Sequence, residues 1–99
     1  IKLYLEEVKQ YSGEGDKVIE DVYLFKGFVK FVADFDGDGN FIVQLYDSEG
    51  NYYESVYNNL GKYSGETGFS IGEEGNYRLT IDGQSFVSSK GSWNIIIEQ

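Results

Sequence analysis

The sequence predicts an all-β fold, a two-sheet antiparallel β-sandwich of about eight strands with a jelly roll as its candidate topology. Three observations carry that expectation. Thirteen glycines divide the 99 residues into segments of strand length. Several of these segments alternate apolar and polar residues with a period of two. Strands with one apolar face each cannot form an open sheet in water, so two sheets must bury those faces against each other.

The elements follow in chain order. Residues 1–8 (Ile1, Leu5 and Val8) and 18–25 (Val18, Ile19, Val22 and Phe25) match helical spacing about as well as strand spacing, and are read as strands because every later segment is β. Over 28–35 the alternation is clear, with Val29, Phe31, Ala33 and Phe35 on one side and Lys30, Val32 and Asp34 on the other. Residues 40–46 repeat it, with Phe41, Val43 and Leu45 opposite Asn40, Gln44 and Tyr46. Between them, Asp36-Gly37-Asp38-Gly39 reads as a hairpin turn in which glycine supplies positive φ. Asp47-Ser48-Glu49-Gly50 reads as a type I turn with a bulge, leading into a strand over 52–57. Shorter strands are expected over 68–71 (Phe69 and Ile71 inward), 77–81 (Tyr77, Leu79, Ile81) and 93–97 (Trp93, Ile95, Ile97), with Trp93 in the core.

Composition removes several functions. The chain has no His, Cys, Met or Pro, and 17 acidic against 8 basic residues give a net charge of -9. Without imidazole or thiol there is no such base or nucleophile, no redox pair and no ordinary zinc or haem site. The negative charge opposes nucleic acid and anionic lipid, and no segment is long and apolar enough to insert in a membrane. A single domain over 1–99 is expected, and a chain that starts at Ile1 with no Met reads as a piece excised or processed from a longer product.

The sharpest chemical pattern is Asp34-Phe35-Asp36-Gly37-Asp38-Gly39-Asn40, which matches the first half of an EF-hand loop. Calcium takes six to eight hard oxygens, and alternate aspartates around a glycine turn bring carboxylates to one point. The second half fails, with Ile42 and Leu45 where ligands belong. Two readings stand: a solvated Asp-Gly turn, and a looser calcium site on a hairpin using Asp34, Asp36, Asp38 and Asn40. No other cofactor is expected.

Tyrosine is the second feature. Tyr46, Tyr52, Tyr53, Tyr57 and Tyr63 cluster, and alternation sets Tyr53 and Tyr57 on the face opposite Tyr52 and Val56. Exposed Tyr46, Tyr53, Tyr57 and Tyr63 would offer flat faces to a protein or carbohydrate partner; the alternative is cross-strand packing, for which Tyr is favoured. Catalysis is not expected: Ser85, Ser88, Ser89 and Ser92 have no histidine to activate them, and a domain of this size leaves little material for a deep cleft.

A likeness runs through Ser12-Gly13-Glu14-Gly15-Asp16, Phe25-Lys26-Gly27, Gly39-Asn40-Phe41-Ile42-Val43-Gln44-Leu45, Asn59-Leu60-Gly61-Lys62-Tyr63-Ser64-Gly65, Gly75-Asn76-Tyr77-Arg78-Leu79 and Gly91-Ser92-Trp93-Asn94-Ile95. In these the chain resembles a family of small, uncharacterised bacterial and archaeal β-sandwich domains of secreted or envelope-associated proteins. The resemblance implies the fold and an extracellular or cell-envelope location, and no activity. One departure is residues 84–90, inserted where the look-alike modules turn directly into the Trp strand. The expected role is a non-catalytic accessory or binding module touching protein or glycan through exposed Tyr. The alternatives are a structural spacer with a calcium-stabilised Asp-rich hairpin and a small glycan-binding module attached to an enzyme.

Overall fold

A computed structural model of the chain describes residues 7–85 and 91–99. They form eight strands: β1 (Val8–Glu14), β2 (Lys17–Leu24), β3 (Gly27–Asp36), β4 (Asn40–Tyr46), β5 (Tyr52–Leu60), β6 (Tyr63–Ile71), β7 (Gly75–Gly83) and β8 (Ser92–Glu98). Two antiparallel sheets result, in the orders β1-β8-β3-β6 and β2-β7-β4-β5. The expected β-sandwich is therefore present. Because β1 pairs with β8, β2 with β7, β3 with β6 and β4 with β5, the chain is one long antiparallel hairpin rolled so that successive pairs fall in alternate sheets, which is the jelly-roll order.

That order corrects one expectation. The β3–β4 link is an arch between the sheets and not a hairpin, since β3 pairs with β6 and β8 while β4 pairs with β5 and β7. Two facing Phe-rich strands gain more by closing on each other: the rings of Phe35 and Phe41 stack at 4.7 Å, nearly parallel, across the core. Neither Gly37 nor Gly39 has positive φ. Gly37 is needed for close approach, because a Cβ there would press on the Phe35 ring and lie 2.6 Å from the Gln84 carbonyl oxygen. The arch is tied to residue 84 by bonds from Gly39 N to Gln84 O (3.0 Å) and Gln84 N to Asn40 O (2.9 Å).

The β4–β5 turn, by contrast, forms as expected. Asp47 Oδ1 accepts from the amides of Glu49 and Asn51, both at 2.9 Å, and Gly50 takes the left-handed conformation at φ 84°.

Two strands carry bulges that disguised their pattern. In β2, Ile19 pairs with Leu79 and Val22 with Tyr77, with Asp21 at φ 55° between them. An extra residue turns the inward spacing from two into three, which reads as helical. Of the expected set, Ile19 and Val22 face inward, joined by Leu24, whereas Val18 and Phe25 are exposed. In β5, Val43 pairs with Tyr57 and Gln44 with Ser55, so the neighbours Val56 and Tyr57 are both buried instead of alternating.

β1 and β6 extend well beyond their apolar signals, because edge strands hold their place with few buried side chains. Residues 1–6 of the expected first strand, and residues 86–90 of the inserted segment, lie outside the described residues. Trp93 is in the core as expected, its Nε1 donating to Gly15 O at 2.9 Å.

Candidate functional site

The four tyrosines proposed as ligand contacts do not form one exposed row. Tyr57 is 3 % exposed, and its hydroxyl reaches Phe31 O (2.9 Å) and Gly65 O (3.0 Å). Burial pushes its pKa up to about 12. Tyr53 is half-buried against the core, edge-on to Tyr77; its hydroxyl donates to Ser70 O and accepts from Gly72 N, both at 2.9 Å. Tyr63 is also half-buried, edge-on to Tyr57. Tyr46 alone lies on an outer face, where its register partner Tyr52 meets it edge-on at 6.0 Å. Tyr52, read as lying on the other face from the ligand set, is 57 % exposed. Tyr53 and Tyr57 do share a face opposite Tyr52, as alternation set them, but that face is the inward one, and the bulge at Val56 buries Val56 beside Tyr57 instead of opposite it. Beside Tyr46 in the register sits Arg78, whose Nε donates to Glu20 at 2.8 Å.

The expected calcium set is spread out. Asp34 and Asp36 both project from the outer face of β3, Asp38 is exposed on the arch, and Asn40 begins β4 in the opposite sheet. Asp34 Oδ1 accepts from Ser64 Oγ at 2.8 Å, and Asp36 Oδ1 lies 3.6 Å from Lys62 Nζ. The Asn40 amide donates to Gln84 Oε1 at 3.3 Å. Among the described residues no three carboxylates are grouped closely enough to hold a metal ion.

What the fold does assemble around Asp34 and Asp36 is a groove of about 570 Å³ on the outer face of the β1-β8-β3-β6 sheet. Its geometry follows from register. Asp34 pairs with Ser64 on one side and Asn94 on the other, and Asp36 pairs with Ser92 and meets Lys62 through the ion pair. One wall is therefore Ser64, Asp34 and Asn94, and the other is Lys62, Asp36 and Ser92. The floor is the strip of sheet between them at Phe35, Tyr63 and Trp93, whose side chains turn inward. The groove crosses three strands and so runs for about 10 Å, with walls about 7 Å apart.

Chemically the walls offer two carboxylates, an ammonium, an amide and two hydroxyls. Asn94 Oδ1 is engaged by Gln10 Nε2 at 3.0 Å, which leaves the Asn94 amide N–H groups to donate. Lys62, Ser64, Ser92 and Asn94 were invisible as site residues in the sequence, because only cross-strand pairing brings them to Asp34 and Asp36. Of the eight residues proposed from sequence, three line this groove: Asp34, Asp36 and Tyr63.

In comparisons with protein-family models and with curated proteins, nothing matches the chain.

Proposed function

We propose that the chain is a non-catalytic saccharide-binding module of an extracellular or cell-envelope protein, with the groove across β8, β3 and β6 as its site. The observation that carries this reading is the facing of Ser64, Asp34 and Asn94 against Lys62, Asp36 and Ser92. Hydrogen-bond donors and acceptors alternate there over a short distance. Hydroxyl groups, which donate and accept at once, satisfy such walls better than a purely anionic or purely apolar ligand does.

Two carboxylates disfavour an anion, and a mostly apolar lining set between polar wall groups suits a ring that carries both C–H faces and hydroxyls. Neither carboxylate has the setting of a glycosidase acid, which needs desolvation to hold its proton near neutrality: Asp34 is exposed and the Asp36 side chain is 67 % exposed. Jelly rolls include lectin domains, an analogy of fold that adds modest weight. The acidic, cysteine-free composition and the resemblance to envelope modules favour the setting.

A glycan array and polysaccharide pull-down test the reading. Binding that is lost in Asp34→Ala and kept in Tyr52→Ala supports it. Loss in Tyr52→Ala alone moves the contact to the Tyr46–Tyr52 face, and no binding to any glycan leaves the structural spacer.

A further inference from the structure

Resting on that saccharide reading, we infer that the groove selects sugars carrying a free ammonium group, and that Lys62 is a displaceable stand-in for it. Asp34 and Asp36 project from the same face of β3 two residues apart. A cation seated between them lies within about 4 Å of both carboxylates, half of the two-residue repeat. One ammonium group is already nearby: Lys62 Nζ is 3.6 Å from Asp36 Oδ1.

That ion pair is open to exchange. The Lys62 side chain is 81 % exposed, and an exposed pair between long side chains contributes little. Asp34 accepts from the Ser64 hydroxyl, and among the described residues the ion pair these two carboxylates make is that of Asp36 with Lys62, one positive charge for two negative ones. The adjoining charges on this face are Glu14 beside Ser92 on β1 and Glu66 beyond Ser64 on β6, both acidic. Further along, Lys30 lies 3.3 Å from Glu98 and 4.0 Å from Glu66, so of the two adjoining acids, Glu14 and Glu66, the second already has a cation. A chain of net charge -9 also draws cations toward its clefts. The hydroxyl-binding groups Ser92 and Asn94 then hold the ring of the sugar whose ammonium displaces Lys62. An amino sugar combines both chemistries, whereas its N-acetylated counterpart keeps the hydroxyls and loses the charge.

The test is calorimetric titration of the folded protein with a glucosamine oligomer and with the N-acetylated oligomer of equal length, at mildly acidic pH. The ammonium form is expected to bind at least about tenfold tighter, a preference that Asp36→Asn abolishes. Lys62→Ala is expected to tighten the ammonium form severalfold and to widen its preference over the acetylated form. Equal binding of both forms, or weaker ammonium binding in Lys62→Ala, overturns the selection while leaving the saccharide reading in place. Binding of neither form, with a blank glycan array, removes both.

Discussion

The hydroxyl of Tyr57, on β5 of one sheet, reaches the carbonyl oxygen of Phe31, on β3 of the other, at 2.9 Å across the middle of the sandwich. The same hydroxyl lies 3.0 Å from Gly65 O on β6, so a single proton serves two acceptors in turn. Tyr53 also links the sheets, donating to Ser70 O nearer the surface, whereas the Tyr57 bond is buried and explains why a tyrosine and not a phenylalanine packs against Phe41. Tyr57→Phe keeps the ring and removes the link. It is expected to cost about 1 kcal/mol, which lowers the melting temperature of a domain this size by about 4–8 °C.

The same residue sets the alkaline limit of stability. Burial raises its folded pKa from 10.0 to about 12, so between those values the folded state holds a proton that the unfolded chain has released. Its contribution is intact below pH 10.0 and is lost as pH rises through about 12. Burial raises Tyr77 in the same direction. Melting curves from pH 9 upward (an order-of-magnitude window set by the tyrosine pKa, about 10) are expected to fall less steeply in Tyr57→Phe than in the wild type. Parallel curves would show that the phenol does not titrate on unfolding.

On the acid side Asp47 acts in the opposite sense. The Asn51 backbone amide, followed by those of Glu49 and Gly50, holds the Asp47 carboxyl below its ordinary 3.8. A depressed folded pKa gives stability that is present above the unfolded value and lost as pH falls through the folded one. Asp47→Ala removes the acceptor that closes the β4–β5 turn. Thermal melts below about pH 4 should then depend less on pH in the variant, and the stability at neutral pH should be lower.

Glycine serves two different ends in this fold, and a pair of substitutions separates them. At Gly50, φ is 84° and nothing would crowd a Cβ, so Gly50→Ala meets only the backbone cost of the left-handed region, about 1 kcal/mol. At Gly37 the backbone conformation is ordinary, but a Cβ has no room beside Phe35 and Gln84 O. Gly37→Ala is expected to cost about 1–3 kcal/mol through overpacking and to loosen the arch that adjoins the groove. Equal melting temperatures for the two variants would mean that the arch yields freely.

Period-two alternation made β3, β4, β7 and β8 legible, since Val29, Phe31, Val43, Leu79 and Ile95 are all buried where the pattern set them. The sheet to which a strand belongs is not contained in that pattern: Phe35 and Phe41 alternate identically whether their strands lie side by side or face to face. The groove was hidden for a related reason. Asp34, Ser64 and Asn94 are far apart in the chain and become neighbours only through the register of three strands. Alternation set Tyr57 opposite Val56, whereas the bulge at Val56 leaves both buried, and nothing in residue type marks that bulge.

The bulge in β2 makes the last prediction specific to this topology. Ile19 and Val22 face the core three residues apart because Asp21 is an extra residue at φ 55°, a conformation that costs a non-glycine residue about 1–2 kcal/mol. Asp21→Gly relieves that strain, with part of the gain offset by the freedom glycine adds to the unfolded chain, about 0.5–1 kcal/mol. The variant is expected to melt at or slightly above the wild type. Deleting Asp21 restores the two-residue repeat, so Ile19 and Val22 still face inward and the ladder with β7 becomes continuous; the deletion protein should keep its β-sheet circular dichroism and melt cooperatively. Deleting Val32 from the unbulged β3 has the contrary result. It turns Ala33 and Phe35 outward and Asp34 and Asp36 inward, burying two carboxylates. A Val32 deletion that folds as well as the Asp21 deletion would show that alternation does not fix the register of β3, and that the bulge in β2 is no special site for a deletion.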